Sequence, residues 1–98
     1  MIIIEKNVGT KIPYEVSGKK ITFDDDLTIN LTKRESDSEV HIDVCYDRDG
    51  ELVIGTAAGR SYVAEIGIPA RAYTETDEGV EPAPLDMDTV TLSLWAIE

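Results

Sequence analysis

Cysteine, histidine and aromatic residues are scarce in this 98-residue chain, which has one cysteine, one histidine and 6% aromatic residues. A single cysteine excludes an intramolecular disulfide and any cysteine-rich zinc module. No apolar stretch approaches the roughly 20 residues that a membrane-spanning helix needs. The apolar run at residues 2–4 is followed directly by Glu5, without the basic flank or the length of a signal peptide. These absences predict a cytoplasmic protein with a single domain over residues 1–98.

Basic residues are also few. Nine Lys and Arg stand against 20 Asp and Glu, so the formal net charge is −11 at pH 7. Because each phosphate contact needs a Lys or Arg, this balance argues against direct binding of nucleic acid or of an anionic membrane. Two interpretations of the acidity stay open. The acidic surface either keeps the protein soluble, or it imitates the phosphate backbone and occupies a DNA-binding protein as an inhibitor.

Apolar residues alternate with polar ones along almost the whole chain, and no helical period is present. Short alternating segments separated by turn residues are typical of a β-sandwich or barrel. The sequence therefore predicts an all-β fold: a single antiparallel β-sandwich or partly open barrel of about eight strands, with a protruding hairpin arm. The expected strands are 2–6, 11–16, 19–23, 27–32, 40–46, 52–54, 61–69 and 89–97.

Two expected hairpins set the register of neighbouring strands. The first has a two-residue loop at 17–18, and the second has the acidic turn at 47–50, which ends in glycine. Each register brings apolar side chains together across the strands. Pro13 cannot donate a ladder hydrogen bond, so its strand is expected at a sheet edge. The expected pairs are Val16 with Lys19, Tyr14 with Ile21, Ile12 with Phe23, Tyr46 with Leu52, and Val44 with Ile54.

The alternation also assigns side chains to faces. In the later strands, the residues expected to point inward are Val40, Ile42, Val44, Tyr46, Tyr62, Ala64, Ile66, Ile68, Val90, Leu92, Leu94 and Ala96, whereas Trp95 and Ile97 are expected on the other face of the last strand. The segment 56–60 is expected to be a loop.

Residues 70–87 lack obvious core side chains and form the one long segment between two strands. Loops of this length in compact domains are usually functional or disordered. The acidic turn at 76–79 repeats the pattern at 47–50, and Pro82 and Pro84 would confine a returning strand to an edge. We interpret the segment as an exposed hairpin arm or mobile loop, with Tyr73, Pro82 and Pro84 as candidate partner-binding residues.

Trp95 projects from the face opposite the apolar stripe of the last strand. An exposed side chain of this size often marks a binding surface, so Trp95 joins the candidate partner-binding residues. The alternative is a strand that is buried on both faces. The sequence leaves these two interpretations equal.

His41, Asp43, Cys45 and Asp47 are the polar residues that most resemble a catalytic or metal-binding set, because they project from one face of the same expected strand. His41 and Cys45 share a strand face, but four residues of strand separate them by roughly 13 Å, too far for a nucleophilic dyad. The turn at 47–50 lacks the first and last ligands of an EF-hand. Residues 24–26 are three aspartates and could bind calcium, or they could form a turn that uses their side chains locally. We expect no enzyme activity, no cofactor and no metal ligand set.

The segments 62–69 (YVAEIGIP) and 84–92 (PLDMDTVTL) resemble small uncharacterised proteins encoded in prophages of Gram-positive bacteria. This resemblance implies a structural or accessory role among virion assembly proteins, in the host cytoplasm or within a phage particle. It carries no catalytic residues. The expected function is a non-catalytic protein–protein interaction module, acting on a protein partner or on itself, with the DNA-mimic inhibitor and the calcium-binding β domain as alternatives.

Overall fold

The computed structural model describes residues 1–57, 59 and 61–97, and in these ranges it contains ten strands and two single-turn 3₁₀ helices. The expected loop at 56–60 includes Ala58 and Arg60, which lie outside the described residues. The helices are Leu31–Lys33 and Met87–Thr89. The strands are β1 (Ile2–Glu5), β2 (Tyr14–Ser17), β3 (Lys20–Phe23), β4 (Leu27–Asn30), β5 (Val40–Tyr46), β6 (Leu52–Ile54), β7 (Ser61–Ile68), β8 (Tyr73–Thr76), β9 (Gly79–Pro82) and β10 (Thr91–Leu94).

Two of the expected strands are shortened by the helices. The side-chain oxygen of Asn30 accepts a hydrogen bond from the Thr32 N–H at 3.1 Å, so the chain turns after β4. Asp86 does the same for the Asp88 N–H at 3.0 Å, and β10 begins only at Thr91. Such local side-chain caps compete with strand pairing.

The largest sheet has five strands in the order β1-β10-β7-β5-β6. Its hairpin between β5 and β6 has the expected register, with Tyr46 opposite Leu52 and Val44 opposite Ile54. The expectation of an antiparallel fold is wrong for one pair, because β1 runs parallel to β10. These two strands lie far apart along the chain, so no tight turn dictates an antiparallel arrangement.

The second sheet has three strands in the order β2-β3-β4. The expected register of its first hairpin is wrong by two residues: the loop is at 18–19, and Tyr14 lies opposite Phe23 and Val16 opposite Ile21. The reason is the backbone of Gly18, whose φ of +59° suits the first loop position of a tight hairpin turn. Ile12 is buried but precedes the strand, so it has no partner in β3.

Buried apolar side chains from both sheets belong to one hydrophobic cluster, which excludes the buried Cys45 and Ser93 of the large sheet. Ile21 and Phe23 contribute from the small sheet, and Ile42, Ile66 and Leu92 from the large sheet, all at most 5% exposed. The inward assignment of the alternating residues in the middle of β5, β7 and β10 is therefore confirmed. The clustering follows from the period of two, which places every second side chain on the same face.

A β-bulge changes this alternation at the far end of β7. Val44 pairs with Ala64 but Cys45 pairs with Tyr62, so the residue between them, Val63, has no partner in β5. Tyr62 is expected to point inward, but it is 41% exposed on the outer face, whereas Cys45 keeps its expected place on the outer face opposite Val53 and is covered there, with 2% exposed. One extra residue in a strand shifts all later side chains to the other face.

Residues 73–82 form a separate two-stranded sheet, which we call the hairpin. Thr76 pairs with Gly79 around a two-residue loop at 77–78, and Tyr73 pairs with Pro82 at the base. All eight residues of β8 and β9 are exposed, and Val80 is 63% exposed. The molecule measures 53 × 25 × 21 Å with a radius of gyration of 15.0 Å, against about 13 Å for a compact chain of this length.

The all-β class is confirmed. No sheet within the described ranges closes on itself. Over the same ranges, no helix has the length and apolar character to cross a membrane.

Candidate interaction surface

The base of the hairpin is attached to the loop before β5 through Arg71. The backbone N–H of Arg71 donates a hydrogen bond to the Ser36 carbonyl at 2.8 Å. The Nη2 atom of the Arg71 guanidinium donates to the Glu35 backbone carbonyl at 3.1 Å. The same guanidinium lies 3.8 Å from the Glu35 carboxylate and 3.7 Å from the Asp37 carboxylate. The backbone hydrogen bond, the guanidinium hydrogen bond and the two ion pairs of Arg71 together fix the direction in which the hairpin leaves the rest of the protein.

Tyr73 and Pro82, two of the candidate partner-binding residues, lie opposite each other at the start of the hairpin. The Tyr73 hydroxyl donates a hydrogen bond to Asp37, and 48% of the residue remains exposed. Pro84 is also exposed, but the next residue, Leu85, is only 7% exposed and packs in the core. The candidates Tyr73, Pro82 and Pro84 thus lie at the base of the hairpin.

The hairpin itself is acidic. Residues 73–82 contain four carboxylates and no Lys or Arg, and all ten residues are exposed. The carboxylates belong to Glu75, Asp77, Glu78 and Glu81. Exposed charges of one sign attract a partner of the opposite sign and accelerate its association at low salt.

Trp95, the fourth candidate, is half-buried on the outer face of the large sheet. Its ring lies 5.2 Å from that of Tyr62 at an angle of 40°, and the Lys6 ammonium lies 5.9 Å from its centroid. The backbone N–H of Trp95 donates a hydrogen bond to the backbone carbonyl of Val63 at 3.1 Å. Desolvation, followed by the nearby carboxylate of Asp43, raises the pKa of the Tyr62 hydroxyl.

The Trp95 cluster and the hairpin lie toward opposite ends of the central strand β7. Trp95 bonds to β7 at Val63, whereas the chain enters the hairpin after Ile68. Five residues of extended strand span roughly 16 Å. The candidate residues therefore form two separate surfaces.

A third polar cluster, which the sequence did not reveal, surrounds His41 on the outer face of the large sheet. The imidazole Nε2 lies 2.6 Å from the Glu39 carboxylate, and Nδ1 lies 3.3 Å from that of Glu65. The hydrogen bond to Glu39 is the main cause that raises the pKa of His41 above 6.5. The spacing of Glu39 and His41 is visible in the sequence, but the approach of Glu65 depends on the pairing of β5 with β7.

The structure separates His41 from Cys45. His41 is exposed on the outer face, while Cys45 is buried beyond the bulge, and burial raises the pKa of its thiol. No group of three His, Cys, Asp or Glu residues in the described ranges has the arrangement to hold a metal ion. Asp24 and Asp25 both have a φ of +52° in the tight turn between β3 and β4. The calcium hypothesis for residues 24–26 stays a prediction.

Comparison of the chain with protein-family models, with curated proteins and with solved structures gives no match. Functional inference for this protein therefore depends on the geometry of its own surfaces.

Proposed function

We propose that this protein is a non-catalytic protein–protein interaction module and that the hairpin at 73–82 is its main contact element. The observation that carries this proposal is that all eight residues of β8 and β9 are exposed. A two-stranded hairpin that packs on nothing is marginally stable at best. Ordering it costs conformational entropy that the contacts at its base offset only in part within the described residues, and a partner that covers the hairpin would supply further burial.

The charge of the hairpin indicates the chemistry of the partner surface. Four carboxylates without a basic residue favour a protein with a cluster of Lys or Arg side chains. Tyr73, Pro82 and Pro84 at the base would add apolar contact, and Trp95 with Tyr62 would form a second contact at the other end of β7. A second copy of this chain is a weaker candidate, since it brings the same negative charge.

We further propose that the two larger sheets face each other as an open sandwich, which would account for their shared hydrophobic cluster. From the resemblance of segments 62–69 and 84–92 alone, we propose a prophage-encoded structural or accessory component. Its place would be the host cytoplasm, or a phage particle into which it is incorporated.

A shortened hairpin provides the test. Residues 75–80 are replaced by Asn-Gly, which keeps the pairs Tyr73–Pro82 and Thr74–Glu81 and closes them with a favoured two-residue turn. The control exchanges the two loop acids, Asp77→Glu and Glu78→Asp, and so keeps the full length and all four carboxylates. The shortened variant, the control and the wild type each serve as bait for affinity capture from a host-type lysate at about 50 and 500 mM salt. The recovered partners are quantified by mass spectrometry.

We expect the shortened variant to fold with an unchanged circular dichroism spectrum and to lose the partners that the wild type and the control recover. Recovery of the same partners by all three baits would refute the role of the hairpin. Unfolding of the shortened variant would show that the hairpin contributes to the core.

The DNA-mimic inhibitor is the second candidate, and the dense, exposed charge of the hairpin favours it. A mimic competes with duplex DNA for a DNA-binding protein, and the competition weakens steeply with salt. The test measures the affinity of a captured DNA-binding protein for labelled DNA by fluorescence polarisation, with and without excess of the present protein. An unchanged DNA affinity at about 50 mM salt, in the presence of excess protein, would eliminate the mimic.

A further inference from the structure

A cavity of 210 Å³ opens on the outer face of the large sheet, and Gly67 is one of its lining residues. Gly67 lies in β7 with His41 of β5 opposite it on one side and Thr91 of β10 on the other. A Cβ atom at position 67 would lie 3.7 Å from the Thr91 Cβ and 3.9 Å from the His41 Nδ1. These are ordinary contacts, so a methyl group at this position would enter the cavity without distorting the sheet.

Hydrogen-bond acceptors line the cavity, and none of its lining residues is Lys or Arg. Ser93 is only 5% exposed, and its hydroxyl has no hydrogen-bond partner in the described ranges. Every fully enclosed side-chain oxygen in those ranges has a partner, so the Ser93 hydroxyl oxygen must open into the cavity. The lining residues are Glu39, His41, Glu65, Gly67, Pro69, Thr89, Thr91 and Ser93.

The two carboxylates at the cavity exceed the charge that His41 can neutralise. Glu39 and Glu65 contact opposite nitrogens of the same imidazole. A neutral imidazole has one N–H and can donate to only one of them, and a protonated imidazole carries one positive charge against two negative ones. The site is therefore short of one or two positive charges, and each carboxylate keeps a second oxygen as an acceptor.

We propose that this cavity binds a guanidinium or alkylammonium group, in the form of an Arg or Lys side chain of a partner protein or of a free organic cation. A guanidinium offers five N–H donors to the carboxylates of Glu39 and Glu65 and the hydroxyl of Ser93. An engineered cavity of about 150 Å³ holds benzene, so 210 Å³ accommodates a group of this size. The proposal depends on the sheet face alone and is independent of the hairpin.

Binding of the cation and protonation of His41 compete for the same carboxylates. The charged or titratable groups facing His41 are Glu39 in the preceding loop, Glu65 of β7 and, two residues along the same face of β5, Asp43. The neighbouring β6 contributes only Leu52, Val53 and Ile54. A bound cation would draw Glu39 and Glu65 away from the imidazole, so affinity should fall as the pH decreases through the raised pKa of His41.

The test is a titration of the ¹⁵N-labelled full chain with N-acetylarginine amide, followed by amide and imidazole chemical shifts at about pH 8 and pH 5.5. N-acetylcitrulline amide has nearly the same shape without the charge and is the control ligand. Gly67→Ala places a methyl group in the cavity, and Glu65→Gln removes one carboxylate. Glu75→Gln, on the hairpin, is the control variant because it changes the net charge by the same amount.

We expect shifts at Gly67, Thr91 and Ser93 with a dissociation constant on the order of 1–10 mM for so small a probe. Affinity should fall at least about fivefold in Gly67→Ala and Glu65→Gln and at pH 5.5, and stay unchanged in Glu75→Gln. An arginine-containing extended peptide that binds at least about tenfold more tightly would identify a protein side chain as the source. If the peptide and N-acetylarginine amide bind with equal affinity, the source is a free cation.

Three results would overturn the proposal. Equal binding of the citrulline control would show that positive charge is not recognised. Equal loss of affinity in Glu75→Gln and Glu65→Gln would show diffuse attraction to an acidic protein. Undiminished binding by Gly67→Ala would show that the cation does not occupy the part of the cavity at Gly67, which the proposal requires.

Discussion

Replacing Gly59 with alanine tests how closely the loop between β6 and β7 packs on Cys45. An alanine Cβ at this position would lie 2.8 Å from the Cys45 Cβ and 3.0 Å from its sulfur. Carbon atoms in favourable contact are about 3.5–4.0 Å apart. Both Cβ atoms are fixed to the backbone, so no side-chain rotation relieves the clash, and the loop must move by roughly 1 Å.

Overpacking of this kind costs about 1–3 kcal/mol of unfolding free energy. In a domain of this length each kcal/mol lowers the melting temperature by about 4–8 °C, so we expect a decrease of at least about 4 °C. Gly67→Ala is the matched control, because its added Cβ has only ordinary contacts and should change stability by less than about 1 kcal/mol. Urea and thermal denaturation measure both variants.

Thiol labelling gives a second measurement on Gly59→Ala. Cys45 is 2% exposed, and burial raises its pKa, so the wild-type thiol should react slowly with an aromatic disulfide reagent. Displacing the loop in Gly59→Ala should accelerate labelling about fivefold or more. If the variants at 59 and 67 were equally stable and equally slow to react, the close packing of Gly59 on Cys45 would be refuted.

Four further outcomes are expected. Glu39→Gln should lower the titration midpoint of the His41 imidazole measured by NMR. Because the pKa of His41 is raised in the folded state, the contact between His41 and Glu39 stabilises the fold below about pH 6.5, and this stabilisation is lost as the pH rises through the folded-state pKa. Gly18→Val should cost about 1–2 kcal/mol, because the φ of +59° is unfavourable for a β-branched residue, while Gly18→Asn should be nearly neutral by urea denaturation. Raising salt from about 20 to 300 mM should raise the melting temperature by screening the net charge of −11, and a flat response would contradict surface repulsion. Amides at 74–81 should exchange with deuterium far faster than those of β7, and equal protection would contradict a hairpin that packs on nothing.

Local features of the fold could be predicted from the sequence. The turn at 47–50 was predicted in the correct register because its determinants are adjacent in the chain. The Asp47 carboxylate accepts hydrogen bonds from the N–H groups of Asp49 and Glu51, at 2.8 and 3.0 Å, and Gly50 has a φ of +79°. The alternation of β5 predicted buried residues for the same reason, since each side chain's face follows from its neighbours.

Features that depend on distant contacts could not be predicted. The bulge next to Cys45 requires the mismatch between β5 and β7, which neither strand shows alone. The register at Gly18 was ambiguous by two residues because both alternatives keep every side chain on the same face. The His41 cluster and the cavity at Gly67 require three strands to be placed side by side before their residues meet.

The parallel pairing of β1 with β10 has a consequence for synthesis on the ribosome. Ile2 pairs with Thr91, 89 positions later in the chain. At about 5–20 residues per second, the first strand leaves the ribosome roughly 4–18 s before its partner. Throughout that interval three consecutive isoleucines lack their native partner strand, so nascent chains should engage chaperones at β1, and the large sheet should be completed only after β10 has been synthesised.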